Sequence, residues 1–251
     1  WDYAMFAPGP DGVPVDERQQ LPLPELVRKY NRGVRDLDDS VGALWATREE
    51  TGQLENTIVV YTSDQGIAMG HHGMEIKVAP YDDNIRVPMI VRLPENHAKG
   101  RVVAGAVNVI DLIPTFFEYA GIDLPWVMNG DSLRELMEDP TTQWNRPALQ
   151  ENFSKKFGQE TDVGITGPTP NQLVDWWISL RQGRYKYVRT LVADEIEELY
   201  DIEADPRELR NLAVEPEYAE LLSDHRKLLV AELERTGAGL VHRMPPPKAN
   251  K

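Results

Sequence analysis

The 251-residue chain contains no cysteine. That excludes a disulfide framework, a thiolate metal centre and a cysteine nucleophile from these residues. No apolar run reaches membrane-spanning length, and no charged-then-apolar leader opens the chain. Cations are outnumbered, 27 Lys and Arg against 41 Asp and Glu, for a formal net charge of −14. A mean field of that sign repels nucleic acid and anionic membrane, so neither is expected as a partner. A local cluster of cations can override it, which leaves an anionic small substrate admissible. No internal repeat is visible. With 41% apolar and 27% charged residues, the chain has an ordinary globular composition. Its length suffices for one large core, or one core with a small appended subdomain.

Patterning predicts the elements. Residues 24–51 read as an amphipathic helix, because Val27, Tyr30, Val34, Leu37, Val41 and Leu44 recur at alternating spacings of three and four, and Gly52 follows as a stop. The first twenty residues are rich in Pro and Gly and read as irregular. Strands are expected at 57–62, 86–93 and 102–110, with Pro88 near a strand start or at a sheet edge. A helix at 112–120 follows, with Asp111 as N-cap, Pro114 in its first turn and Gly121 as its end. Prolines at 125, 140, 147, 168 and 170 make 123–172 read as long loops. Beyond them, 176–182 and 184–190 flank Gly183 as a hairpin, a third strand lies near 196–200, and a helix spans 215–236. Pro245-Pro246-Pro247 opens a tail expected to be disordered. Alternation of strand and helix makes the fold class α/β.

One stretch carries chemistry. Asn56-Thr57-Ile58-Val59-Val60-Tyr61-Thr62-Ser63-Asp64-Gln65-Gly66 is a β-branched apolar run that ends abruptly in an acid, an amide and a glycine, and His71-His72-Gly73 and Lys77 follow. Such a strand delivers polar groups to a loop, and carboxyl ends of strands are where crevices form in open α/β sheets. The Asp64 carboxylate and the Gln65 amide are hard oxygen donors, suited to Ca²⁺ or Mg²⁺. Lys77 adds a point cation able to hold an anionic oxygen. Asp64 alone would be an ordinary turn aspartate, and Lys77 alone a solvated lysine.

In order along the chain, Thr62-Ser63-Asp64-Gln65-Gly66, Gly70-His71-His72-Gly73, Lys77, Arg86-Val87-Pro88-Met89-Ile90-Val91-Arg92, Val109-Ile110-Asp111-Leu112-Ile113-Pro114-Thr115 and Ala120-Gly121-Ile122 resemble the sulfatases of the alkaline-phosphatase-like superfamily. Tyr185-Lys186-Tyr187, Glu198-Leu199-Tyr200-Asp201, Asp205-Pro206 and Asn211-Leu212 resemble that family's closing subdomain. The resemblance implies an alkaline-phosphatase-like mixed sheet with flanking helices, present in part, plus a small antiparallel sheet and a terminal helix. It divides the chain into 1–122, the carboxy-terminal part of a catalytic domain; 123–175, a loop-rich connection; 176–240, a small subdomain; and 241–251, a disordered tail.

The implied function is Ca²⁺-dependent hydrolysis of a sulfate monoester on a small molecule or carbohydrate, with Ca²⁺ ahead of Mg²⁺. Asp64 and Gln65 become metal ligands, and Lys77 the residue that contacts sulfate and stabilises the leaving oxygen. Gln65 stands where the family more often has asparagine or histidine, and His71 where it has glutamate. The family's nucleophile resembles a hydrated formylglycine made within a Cys/Ser-x-Pro-x-Arg motif, and two further aspartates complete its metal site. This sequence has no such motif; Thr166-Gly167-Pro168-Thr169-Pro170 lacks the arginine. The expectation is therefore that the chain begins partway through a longer protein, whose earlier residues supply the nucleophile, and that alone it is inactive. A phosphonate monoester hydrolase or phosphodiesterase on the same scaffold, and a binding relative without catalysis, are the alternatives.

Other candidates have plainer readings. Adjacent His71 and His72 diverge and lack an HExxH or cysteine partner, which argues against zinc; His72 reads as a loop or pocket residue. Asp82 and Arg86 form an i,i+4 pair if helical. Trp176 and Trp177 read as core, and the acidic stretch 194–203 as a solvated face.

Overall fold

The computed structural model describes residues 6–8, 14–16, 21–74, 77–94, 100–139, 141–152, 176–191 and 195–248. The chain forms two compact units, one of residues 1–79 and 83–99, the other of 80–82 and 100–251. Residues 100–122 thus group with the second unit, whereas the sequence placed them with the first.

The first unit opens with three very short antiparallel strands, β1 (Phe6–Pro8), β2 (Pro14–Asp16) and β3 (Leu21–Pro22), where an irregular segment was expected. Helix α1 (Leu23–Glu50) follows over 28 residues, close to the predicted span. It ends because Gly52 takes φ +66°, where a side chain is strained. The Gly52 amide then donates to Glu49 O and the Gln53 amide to Arg48 O, closing the last turn on its own carbonyls. The predicted apolar stripe is real but lies open: Leu44 is 59% and Tyr30 56% exposed. Strands β4 (Val59–Tyr61) and β5 (Ile90–Arg92) pair antiparallel, with Val60 opposite Val91. Both are shorter than expected, and among the described residues each pairs only with the other. Arg92 ties this pair to the end of α1: Nη1 donates to Leu54 O at 2.7 Å, and the guanidinium lies 5.3 Å from the Trp45 ring centre.

In the second unit, 102–110 is not a strand. Val102 is 90% exposed, and a β-branched run without a partner strand cannot satisfy its backbone as sheet. Helix α3 (Leu112–Ala120) matches prediction, ending at Gly121 with φ +66°. Asp111 is not its simple N-cap. Its buried carboxylate accepts from the Asn108 amide at 2.8 Å, the Asp131 amide at 3.0 Å and Arg146 Nη1 at 2.6 Å, fastening three segments together. Asn108 is the capping residue, at the turn just before α3. The stretch expected as loops holds a short helix, α4 (Arg134–Glu138), and a strand, β6 (Ala148–Asn152). The remainder of that stretch, beyond residue 152, lies outside the described residues, as does the Thr166–Pro170 lookalike.

Strands β6, β7 (Trp177–Gln182), β8 (Tyr185–Thr190) and β9 (Glu198–Asp201) form one antiparallel sheet in that order, with Gly183 turning the central hairpin. Side chains alternate across it. Ile178, Leu180, Tyr187 and Leu199 share one face and pack against Leu222, Leu229 and Leu233 of α5 (Ala219–Arg235). Trp176 joins this core and Trp177 is also buried, as expected of both. Asn211 links β9 to the chain leading to α5: its side chain accepts from the Leu199 and Ala213 amides and donates to Glu197 O at 2.8 Å.

The opposite face buries Trp177 and Val188 and, beside them, polar groups. Lys186, 1% exposed, donates to Asp82 Oδ1 at 2.8 Å and pairs with Glu208, whose Oε2 also accepts the Asp82 amide at 2.6 Å. Asp82 therefore serves Lys186 and not Arg86. Tyr81 and Tyr200 meet edge-on beside them, and Tyr200 donates to Glu198. Burial pushes the Glu208 carboxyl up to about 7, although Lys186 opposes that shift. The folded state then keeps a proton that the unfolded chain, titrating at about 4.5, has released. Stability from this group is full below the lower value and is lost as pH rises through the higher one. The urea midpoint of the native chain should accordingly fall more between pH 5 and pH 8 than that of Glu208→Gln, whose amide cannot titrate; equal falls would remove Glu208 as the cause.

The acidic stretch is not simply a solvated face. Glu197 is buried and accepts from Tyr187, Arg189 and Arg226. Burial raises its carboxyl, but these donors hold it below its usual value. Asp194 lies outside the described residues. Of the tail 241–251, expected to be disordered, the first residues end the helical turn Gly239–Arg243, Pro245 O accepts from Arg189 and the Lys248 amide donates to Glu195 O. Polar partners on the sheet hold this segment despite its composition.

Candidate functional site

Chain exit from β4 is set by a glycine. After Tyr61 the strand ends, and the Ser63 hydroxyl lies within hydrogen-bond reach of two acceptors, Asp64 Oδ1 at 3.3 Å and Gln65 O at 3.2 Å. The Gly66 amide donates to Asn84 O at 2.7 Å, and a Cβ on Gly66 would lie 2.1 Å from the Asp83 carbonyl oxygen. Only a residue without a side chain permits this approach. It seats the residue after Gln65 on the backbone of the short helix α2 (Asp82–Ile85). Asp64 is exposed and Gln65 half-buried.

From there the chain winds through a strained turn. Ala68 is buried, the His71 amide donates to Ala68 O and the Gly70 amide to Met74 O, each at 2.9 Å. Met69 and His72 adopt φ +51° and +53°, on either side of Gly70 and His71. Val78, immediately after Lys77, adopts φ +76°, a conformation that a β-branched residue takes only where its surroundings over-determine it. Ala79 beyond it is fully buried. Lys77 is thus presented to solvent from a backbone pinned on its carboxyl side, and among the described residues it forms no ion pair. The sequence missed one further partner: His71 Nδ1 lies 3.0 Å from Asp83 Oδ2. In the sequence the two stand twelve residues apart, with no pattern linking them.

Asp64, Gln65 and Lys77 therefore belong to one unit and one connection, between β4 and β5. The donor set suits a hard cation: an exposed carboxylate with no cationic partner among the described residues, followed by an amide. It is a partial set. Ca²⁺ takes about six to eight oxygens, and no group of three or more His, Cys, Asp or Glu gathers among the described residues. The second unit has a cavity of about 400 Å³ lined by Asn108, Trp144, Arg146, Glu232 and Arg235. Its arginines are already engaged, Arg146 with Asp111 and Asp131, Arg235 with Glu232, so it offers no free cation for an anionic ester.

The family models described as "Sulfatase" and "N-sulphoglucosamine sulphohydrolase, C-terminal" match residues 6–122 and 70–235. The chain belongs to the sulfatase family, and its mixed α/β fold is alkaline-phosphatase-like. It is 29% identical over 216 residues to the N-acetylglucosamine-6-O-sulfatase of Bacteroides thetaiotaomicron, covering 82% of this chain and 35% of that protein. A solved structure described as a complex with its substrate D-glucosamine-2-N,6-O-disulfate matches with TM-score 0.66 and 28% identity, over 82% of this chain and 40% of that one. The phosphonate monoester hydrolase of Agrobacterium radiobacter matches with TM-score 0.66 and 25% identity, over 80% and 40%. The chain thus spans about two fifths of the length of these relatives.

Proposed function

We propose that this chain is the carboxy-terminal portion of a Ca²⁺-dependent sulfuric ester hydrolase acting on a sulfated small molecule or carbohydrate. The observation that carries this reading is Asp64-Gln65-Gly66 at the end of β4, with Gly66 locked on α2 and Lys77 held by a strained backbone in the same connection. Asp64 and Gln65 would hold the cation, through the carboxylate and the amide oxygen. When bound, the ion supplies positive charge against a tetrahedral anion. The chain's own contribution is then to fix these donors and to place the Lys77 ammonium where negative charge develops on the leaving oxygen. Nucleophile and remaining metal ligands would come from residues outside these 251, in keeping with the share of each relative that the chain covers.

A second reading has one observation in its favour, the likeness to a phosphonate monoester hydrolase at equal TM-score. A cation and a lysine do not separate tetrahedral sulfate from phosphorus esters. The test is the complete reading frame, expressed and assayed on matched aryl sulfate, aryl phosphodiester and aryl phosphonate with and without a Ca²⁺ chelator. Chelator-sensitive turnover, highest on the sulfate, is expected; preference for the phosphorus esters would favour the second reading. No turnover of any, with no nucleophile motif in the frame, would make the protein a binding relative. The 251-residue chain alone is expected to be inactive.

A further inference from the structure

We propose that His71 is a positioning residue, whose contact with the Asp83 carboxylate fastens the Lys77 connection to the same short helix that already seats the Asp64-Gln65 corner. Two attachments meet at Asp83 and Asn84. Main-chain atoms of this pair receive Gly66: the Gly66 amide donates to Asn84 O, and the Asp83 carbonyl occupies the space a side chain at 66 would need. The Asp83 side chain faces the other segment and holds His71 Nδ1 at 3.0 Å. His71 stands between Met69 and His72, both at positive φ, so its contact with Asp83 ties down a turn that backbone preference would relax. Two adjacent residues of one helix thus hold both segments, Asn84 the donor corner through its backbone carbonyl and Asp83 the lysine-bearing connection through its carboxylate. The functional consequence rests on the reading of Asp64, Gln65 and Lys77 given above; the mechanical one does not.

The pair is partly exposed, with side-chain accessibilities of 45% for His71 and 36% for Asp83, so its effect is local and moderate. The test is a charge-swap cycle in the full 251-residue chain: His71→Glu, Asp83→Lys and the double variant. Amide hydrogen exchange is read at Gly66, Gly70 and Met74, with Leu37 and Val41 of α1, in the same unit, as internal controls for its folding. His71→Glu sets two carboxylates against each other and should speed exchange at Gly70 and Met74 by about threefold to fivefold, and the double variant should restore protection. Unchanged exchange in His71→Glu, or no recovery in the double variant while the α1 amides stay protected, overturns the proposal. Terbium(III) luminescence on the same samples separates the two readings. A matching loss and recovery of terbium affinity supports both. Exchange that responds while no variant binds terbium upholds the His71 anchor and counts against the cation site.

Discussion

Lys186→Met should lower the stability of the second unit by about 3–5 kcal/mol at pH 8, read as a shift of the urea midpoint. Lys186 lies on the face of the four-stranded sheet opposite α5, essentially without solvent, between Asp82 and Glu208. A methionine fills most of the volume but removes the cation, leaving two carboxylates buried side by side. Water cannot reach Glu208, which is 2% exposed, to offset the loss. The remaining escape is protonation, and Glu208 is already poised for it, its carboxyl held near 7 by burial. Without Lys186 the opposing influence disappears and the proton binds more tightly still. Lys186→Met should therefore cost markedly less at pH 5 than at pH 8. A penalty that is the same at both values would show that lost packing, not unpaired charge, is the cause.

The second large effect concerns Lys77 in the complete enzyme. Removing one preorganised electrostatic group from a site of this type costs about 10²–10³ in turnover. Lys77→Ala should lose that much kcat on an aryl sulfate while its thermal melting point stays within a degree or two of the native value, because Lys77 is exposed and unpaired among the described residues. The split between activity and stability is the diagnostic. Retention of kcat within a few-fold would remove Lys77 from the chemistry, and a large fall in melting point would instead make it a structural residue.

How legible the molecule was in its sequence depends on how far apart the deciding residues lie. Helices α1 and α3 and the Gly183 hairpin were readable because apolar periodicity and a terminal glycine sit within one window. The apolar run at 102–110 misled for the same reason in reverse. Its composition is that of a strand, but pairing is a property of two segments, and Val102 has none beside it. Strand β6 was hidden because its partner, β7, starts 25 residues beyond its end, and Ala148–Asn152 alone shows neither alternation nor a β-branched run. Charged residues were hardest. Asp82 faces Lys186 across 104 positions, and Glu197 takes an arginine 29 positions away, so both were assigned to nearer or wetter surroundings than they have. Within the candidate site, motif order singled out Asp64, Gln65 and Lys77 as candidates, and the structure adds why Gly66 must be there and that His71 lies against Asp83.

Gly66 and Gln65 also differ in the freedom they leave to descent and to protein engineering. If Gln65 holds the proposed cation, its task is to bring an oxygen to roughly the right place, which several side chains of unequal length can do, so that position can vary without breaking the local backbone. At 66 the neighbouring carbonyl already fills the only available volume, and no alternative rotamer exists to explore. A saturation library across this corner would therefore be permissive at one codon and intolerant at the very next.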